Sequence, residues 1–444
     1  MANETAGVPA PTPRIRKMQI TALVLLVLCG VINYLDRSAL AVANVLIRQE
    51  LGLNATSMGV LLSAFLLAYA LSQIPVGFLI DRLGPRTLLG CAITLWSIAQ
   101  AACGFIGSFT QFYFARIGLG IGESAQFPTG IRVVNNWFHV SKRGLPTGIF
   151  NSASFLGTAL APPLLTVIML AYGWRMMFII MGVLGFVAAF IWVLFYRDPT
   201  DVCTPAEIAY IRSGDTARTN SPVNPRQWAR LFQFRTMWGA ILGTLGAQYL
   251  TWMYYTWLPG FLEIQQHMTI SRTGIFAAIP PIVGTVGSVV GGFSTDWLSR
   301  WGFSPLTCRK IPLVSGLIGM AILAIATAYA SDNTVVITLI SFSYFLAGLS
   351  SAAIWAIVTA AAPPDYVGSF GSLLLLGGFL GATVSPIVTG FIVDSTGSFL
   401  LALLIGAGMA LLGAIAFLLL IDKPISGAEL EGSVSLTGAP PRVA

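Results

Sequence analysis

Residues 77–86 read GFLIDRLGPR, and this short polar segment stands between two long apolar runs. A related segment, GFSTDWLSRWG, occupies residues 292–302 and also follows an apolar run. In both segments an aspartate comes four residues after the first glycine, and an arginine comes four or five residues after that aspartate. The recurrence of one motif in the two halves of the chain indicates an internal duplication.

A second spacing recurs in the same order. Pro162 precedes Gly173 by eleven residues, and Pro386 precedes Gly397 by eleven. The one long polar connection lies between these matches and separates two apolar blocks of nearly equal length. The sequence therefore predicts five parts: a tail at 1–17, a six-helix bundle at 18–196, a linker at 197–236, a second six-helix bundle at 237–421 and a tail at 422–444.

The composition is that of an integral membrane protein. Apolar residues make up 56% of the chain and charged residues 9%, whereas about a quarter of an ordinary soluble domain is charged. The apolar stretches have roughly the 20 residues that a helix needs to cross a hydrocarbon core of about 30 Å. We expect an all-α protein with twelve transmembrane helices, at 18–46, 56–79, 87–107, 112–134, 143–171, 175–196, 237–262, 273–295, 310–330, 334–358, 366–393 and 398–421.

The basic residues predict the orientation of these spans. With a cytoplasmic amino terminus, 19 of the 24 Lys and Arg residues fall on the cytoplasmic side, as the positive-inside rule requires. These are residues 14, 16, 17, 82, 86, 132, 142, 143, 197, 212, 218, 226, 230, 235, 300, 309, 310, 423 and 442. Both termini are then cytoplasmic, and the net charge of +7 reflects topology and lipid contact rather than binding of nucleic acid. We expect a cell-membrane location, the inner membrane if the source is bacterial.

Four ionisable side chains lie clearly inside the predicted spans rather than at their polar borders: Asp36, Arg37, Arg116 and Glu123. Each costs roughly 2.5–3.5 kcal/mol or more at the centre of a membrane helix, so such groups are commonly functional. The alternative is that they only neutralise one another as internal ion pairs. Arg116 and Glu123 are seven residues apart on one helical face, which allows such a pair.

The face of the first span around Arg37 suits an anionic ligand. Asn33 and Tyr34 lie four and three residues before Arg37, so an amide, a phenol and a guanidinium share one face. The guanidinium fork matches the geometry of a carboxylate. We therefore expect Arg37, Asn33 and Tyr34 to bind a small organic anion.

The two embedded carboxyl groups suit proton transfer. Glu123 lies near the middle of the fourth span, and Asp36 lies next to Arg37, pointing about 100° away from it. A carboxyl group in such a place can take up and release a proton. The alternative is that Glu123 or Asp36 is a static partner of an arginine.

The second half offers neutral polar and aromatic groups. Gln248 in the seventh span and Trp355 in the tenth are candidates to line a binding pocket. Aromatic residues in membrane spans also serve in packing or at the interface, and that alternative stays open.

The short polar segments predict a latch between conformational states. Gly77 lets helices approach, and Asp81 with Arg82 and Arg86 lies in a tight cytoplasmic loop where a carboxylate can face a helix amino terminus. The corresponding residues of the second half are Asp296 and Arg300.

Several of these segments carry a family likeness. GFLIDRLGPR and RIGLGIGESAQFP resemble signatures of the major facilitator superfamily. NYLDRSAL, WFHVSKRGLPTGIFNSASFLG and PIVTGFIVDSTGSF are similar to the anion:cation symporter family within it, which includes bacterial importers of galactonate, glucarate and hexuronates.

The resemblance implies the major facilitator fold, two six-helix bundles related by a pseudo-two-fold axis, and proton-coupled import of an organic anion. It implies that Arg37 binds the substrate carboxylate and that Asp36 and Glu123 carry protons. It also implies that Tyr34 and Tyr69 line the site and that Trp355 lies near the substrate.

Two positions depart from the family pattern. Leu375 stands in the eleventh span where an asparagine is expected, and Ser154 stands in the fifth span where the galactonate importer has a glutamine. Both changes remove amide groups suited to hydroxyls, and buried polar groups left without partners are costly. A sugar acid such as an aldonate or aldarate is favoured as the substrate, and an aromatic or less hydroxylated carboxylate remains an alternative.

The sequence thus predicts a secondary active transporter that works by alternating access, with its substrate near the midplane. An exporter and a transporter-like ligand sensor are the alternatives. No catalytic set or cofactor motif is present, so we expect neither an enzyme nor a bound cofactor or metal, and a monomer is the default.

Overall fold

The computed structural model describes residues 12–139, 142–212, 229–363, 366–426 and 430. Side chains at 210, 212, 296, 299, 359 and 368 are outside this description. Every regular element in the described residues is a helix. Parts of both predicted tails, residues 213–228 of the predicted linker, and Arg218, Arg226 and Arg442 of the orientation argument lie outside the described residues.

The described helices of the first half of the chain are α1 (Pro13–Val42), α2 (Asn44–Leu51), α3 (Ala55–Cys103), α4 (Phe109–Glu123), α5 (Gln126–Trp137), α6 (Gly144–Phe195), α7 (Pro199–Val202) and α8 (Pro205–Arg212). The described helices of the second half are a short 3-10 helix (Leu231–Gln233), α9 (Arg235–Ile264), α10 (Ile270–Phe276), α11 (Ile279–Arg300), α12 (Pro305–Tyr329), α13 (Asn333–Ala361), α14 (Val367–Thr396) and α15 (Leu400–Leu420).

Within the described residues, eight helical stretches are long and apolar enough to cross a membrane. Two of them, α3 and α6, each contain two of the predicted spans. Gly84 and Gly173 break these two helices, with φ of 71° and 80°, a conformation that favours glycine. The remaining predicted spans correspond to α1, α4 with α5, α9, α10 with α11, and α12 to α15, so the helices match the expected twelve spans.

The chain divides into two compact units. One comprises Met1–Thr219 with Leu262–Ala278, and the other comprises Asn220–Phe261 with Ile279–Ala444. The segment Leu262–Ala278 groups with the first unit, although it follows the predicted linker in sequence. The reason is that α10 packs on α6: a Cβ placed on Gly274 would meet the side chain of Thr166 within 2.9 Å.

Candidate functional site

An arginine of α1 and a glutamate of α4 form a buried ion pair in the first unit. Arg37 Nη2 and Nε donate to the same oxygen of Glu123, Oε2, at 3.0 and 3.2 Å. The side chain of Arg37 is 6% exposed and that of Glu123 is fully buried. Sequence spacing pointed to Arg116 as a partner of Glu123 and did not indicate this bond between helices.

Three aromatic rings surround the Arg37 guanidinium. Its central carbon lies 4.7 Å from the ring centre of Tyr34 and 5.0 Å from those of Phe65 and Tyr69. Such distances allow cation–π attraction, which is strongest where water is excluded. Asn33 Oδ1 also accepts a hydrogen bond from Nη2 at 3.3 Å. The guanidinium is therefore held in one orientation by its ring contacts and its hydrogen bonds.

Two glycines allow the helices of this site to approach closely. A Cβ placed on Gly120 of α4 would lie 2.5 Å from the backbone oxygen of Phe65, and one on Gly157 of α6 would lie 2.5 Å from Tyr34 Cβ. Small residues are what permit such backbone contact between membrane helices. The aromatic rings around Arg37 therefore depend on these two positions.

Asp36 lies in an adjoining region of the same cluster. It is fully buried, and Gln100 of α3 donates to its backbone oxygen at 3.4 Å. Arg116 is close enough to Asp36 for an electrostatic interaction, and its guanidinium lies 4.9 Å from the ring centre of Phe65. Two carboxyl groups and two guanidinium groups thus share one buried region.

The structure gathers seven of the predicted residues in the first unit. Ser154 of α6 lies within hydrogen-bonding reach of the Tyr34 phenol, and its hydroxyl donates to the Asn151 backbone oxygen at 2.6 Å. The seven are Asn33, Tyr34, Asp36, Arg37, Tyr69, Glu123 and Ser154.

The other three candidates for substrate contact belong to the second unit. Gln248 of α9 packs over Gly378 of α14, where an added Cβ would lie 3.2 Å from Gln248 Cγ. Leu375 is three residues before Gly378 on the same helix and is half-buried. Trp355 of α13 is 54% exposed.

The predicted latch residues make contacts inside the first unit. Asp81 lies 3.3 Å from Arg132 of α5, and Arg86 donates to the backbone oxygen of Val193 at 2.8 Å. Arg82 stacks over Phe78 at 4.3 Å, and Gly77 is exposed. In the second unit, Arg300 is exposed in the last turn of α11, and the side chain of Asp296 lies outside the described residues.

Sequence reasoning missed two residues of the cluster. Phe65 contacts the guanidinium groups of both Arg37 and Arg116, and Gln100 is a fully buried amide beside Asp36. The first had a detectable signal, because Phe65 lies one helical turn before Tyr69. The second, Gln100, also had a signal, because it is an amide within an otherwise apolar span. Among the described residues, no group of three or more His, Cys, Asp or Glu side chains could hold a metal ion.

Comparison with known proteins identifies the family. Residues 26–308 match the model of the Major Facilitator Superfamily. The chain belongs to the major facilitator superfamily. A solved superfamily member, the D-xylose-proton symporter, has the same fold with a TM-score of 0.73 at 14% identity, over 91% of this chain and 98% of that one.

Two curated relatives of Escherichia coli strain K12 are similar along nearly the whole chain. One is described as a probable L-galactonate transporter and is 41% identical over 432 residues, covering 96% of this chain and 95% of the relative. The other, described as the probable galactarate/D-glucarate transporter GarP, is 31% identical over 427 residues, covering 92% and 96%. These similarities confirm the predicted fold and family. This superfamily member is a multi-pass membrane transporter and not an enzyme.

Proposed function

We propose that this protein is a secondary active transporter that imports a small organic anion together with protons by alternating access, and that the anion is a sugar acid. The observation that carries the proposal is the buried pair of Arg37 and Glu123 inside a ring of aromatic side chains. The described functions of the relatives support the choice of a sugar acid.

The geometry of Arg37 suggests how proton and substrate binding are coupled. Nε and Nη2 form the edge of the guanidinium that grips a carboxylate in two-pronged fashion, and Glu123 occupies that edge. A substrate carboxylate needs the same two donors, so it competes with Glu123. A proton on Glu123 removes its negative charge and releases Arg37 for the substrate.

Asp36 is the second proton carrier in this scheme. If Asp36 and Glu123 each move one proton with a monoanion, each cycle carries one positive charge inward. If only one of them does, the cycle is electroneutral. The dependence of uptake on membrane potential distinguishes the two cases.

Polar groups around Arg37 suit a hydroxylated substrate. Asn33 Nδ2 is buried and has no hydrogen-bond acceptor among the described residues, and a buried donor without a partner is costly. A substrate hydroxyl close to the carboxylate would supply the missing acceptor. Tyr34, Tyr69 and Ser154 offer further hydroxyls, while Gln248, Trp355 and Leu375 are the proposed contacts from the second unit.

Uptake into proteoliposomes tests the proposal. The panel should contain L-galactonate, D-galactonate, D-glucarate, a hexuronate and an aromatic carboxylate, each with and without an inward proton gradient and a membrane potential. We expect accumulation of at least one sugar acid, only with the proton gradient. Accumulation of the aromatic acid alone would contradict the substrate class, and uptake that ignores the proton gradient would contradict symport.

A further inference from the structure

A cavity of about 330 Å³ lies at the amino-terminal end of α1 in the first unit. It is at the lower end of the range for small-molecule pockets, roughly 300–1,000 Å³. Its lining combines cations with aromatic and apolar side chains, among them Arg14, Lys17, Arg197, Met18, Thr21 and Phe195.

The charged part of this lining is positive throughout. Arg14 Nη2 donates to the Val202 backbone oxygen at 2.7 Å, and Arg197 Nη1 donates to that of Tyr196 at 2.9 Å. These bonds fix the two guanidinium groups, each of which carries five N–H donors. The backbone oxygen of Lys17 accepts a hydrogen bond from Thr21 at 3.0 Å, but its ammonium group forms no hydrogen bond or ion pair with any described residue.

The neighbouring acidic side chains, Asp198 and Glu207, accept hydrogen bonds from nearby protein groups. Asp198 Oδ1 accepts the phenol hydrogen of Tyr196 at 3.1 Å. Glu207 Oε2 accepts from the backbone of Thr204 at 2.9 Å, and its Oε1 accepts from Thr12. Neither acid lines the cavity. An anion entering the cavity would therefore meet three cations and no carboxylate.

The apolar part of the lining continues onto helix faces that suit hydrocarbon. On α1, the face of Met18 and Thr21 leads to Val24 and Leu28, which are exposed. Beside Phe195, Leu194 and Phe190 are exposed as well. In a membrane protein such side chains contact acyl chains. The cavity thus lies where a charged helix end gives way to an apolar surface.

We propose that this cavity binds the phosphate headgroup of an anionic phospholipid, with Arg14, Lys17 and Arg197 on the phosphate and the acyl chains along the exposed faces of α1 and α6. Basic pockets between membrane helices are suited to such headgroups. The combination of three cations with an adjoining apolar face favours a lipid over a free anion, because only a lipid has acyl chains that can contact that face.

Native mass spectrometry of the purified full chain tests the proposal by titration with phosphatidylglycerol and phosphatidylcholine. Lys17→Gln should weaken the tightest phosphatidylglycerol binding about fivefold, the effect of one cation near an anionic headgroup. Arg16→Gln is the matched control, since Arg16 is the adjacent exposed cation on α1 and does not line the cavity. It should leave that binding unchanged.

Three results would overturn the proposal. Equal weakening by Lys17→Gln and Arg16→Gln would mean a general effect of surface charge. Equal retention of phosphatidylcholine and phosphatidylglycerol would remove the anionic selectivity. Displacement of the bound lipid by glycerol 1-phosphate at comparable concentration would identify a free phosphate site instead.

Discussion

The first unit contains two arginine–glutamate pairs of nearly equal length and very different surroundings. Arg37 and Glu123 lie 3.0 Å apart and are 6% and 0% exposed. Arg175 and Glu50 lie 2.8 Å apart and are 37% and 48% exposed. The inner pair joins two membrane helices, whereas the outer pair joins the short helix α2 to α6 just after the break at Gly173.

The two glutamates also differ in how completely they are bonded. Both oxygens of Glu50 accept hydrogen bonds, one from the Trp174 indole and the other from Arg175. Glu123 uses only Oε2, and its Oε1 is buried without a hydrogen-bond donor among the described residues. In the outer pair, both oxygens of the carboxylate therefore have hydrogen-bond donors, as in a structural ion pair. The inner one leaves bonding capacity unused, as expected of a pair that exchanges partners.

The largest expected effect comes from removing the inner cation. Truncating one partner of a buried, hydrogen-bonded charge pair costs roughly 2–5 kcal/mol, so Arg37→Ala should lower the initial rate of sugar-acid uptake at least about thirtyfold. It also leaves Glu123 buried without its partner, which should lower thermal stability. Proteoliposome uptake and thermal unfolding measure the two effects.

The double variant Arg37→Ala with Glu123→Gln separates the two causes. Removing both charges should restore much of the stability, because no uncompensated carboxylate remains. Uptake should stay lost if Arg37 binds the substrate. Near-normal uptake in either variant would rule out the carboxylate-binding role of Arg37.

Glu123→Gln should have a smaller and more selective effect. The amide keeps the shape of the side chain but cannot carry a proton through the cycle. Accumulation driven by a proton gradient should fall to the level of equilibration, while exchange of labelled for unlabelled substrate across the membrane continues. Full proton-driven accumulation in this variant would refute the proton-carrier role and leave Glu123 as a static partner of Arg37.

Much of the fold was accessible from the sequence because it depends on local signals. Apolar stretches of membrane length predict spans, and the repeated spacings indicate a duplication. Gly173 and Gly397, the two glycines of the eleven-residue spacing, both adopt positive φ. The grouping of residues 262–278 with the first unit was not accessible, since it depends on packing between α10 and α6.

The site was predictable as a set of residues but not as a set of contacts. A charged side chain within a membrane helix has a high free-energy cost, so Asp36, Arg37 and Glu123 could be selected as candidates from the sequence. Their partners depend on which helix faces meet, and that is decided by close approach at Gly120 and Gly157. For Phe65 the sequence offered only its place one helical turn before Tyr69, whereas its contacts with two arginines depend on this packing.

The smallest effect is expected at the outer pair. The indole of Trp174 and the guanidinium of Arg175 hold the pKa of Glu50 below its usual value of 4.5. A lowered pKa stabilises the fold above that usual value, and the contribution disappears as the pH falls through the lower native value. Because the pair is largely exposed, Glu50→Gln should cost at most about 1 kcal/mol at neutral pH.

Thermal unfolding of the native protein and of Glu50→Gln across a range of acidic pH checks this expectation. The difference in Tm should shrink as the pH falls below 4.5, and added salt should reduce it at neutral pH, as for any exposed pair. Uptake should be unchanged, because Glu50 is not part of the cluster around Arg37. If Glu50→Gln instead abolished proton-driven uptake, the distinction between a fully hydrogen-bonded structural pair and a pair that exchanges partners would fail. The mechanism would then have to include the contact between α2 and α6 in the first unit.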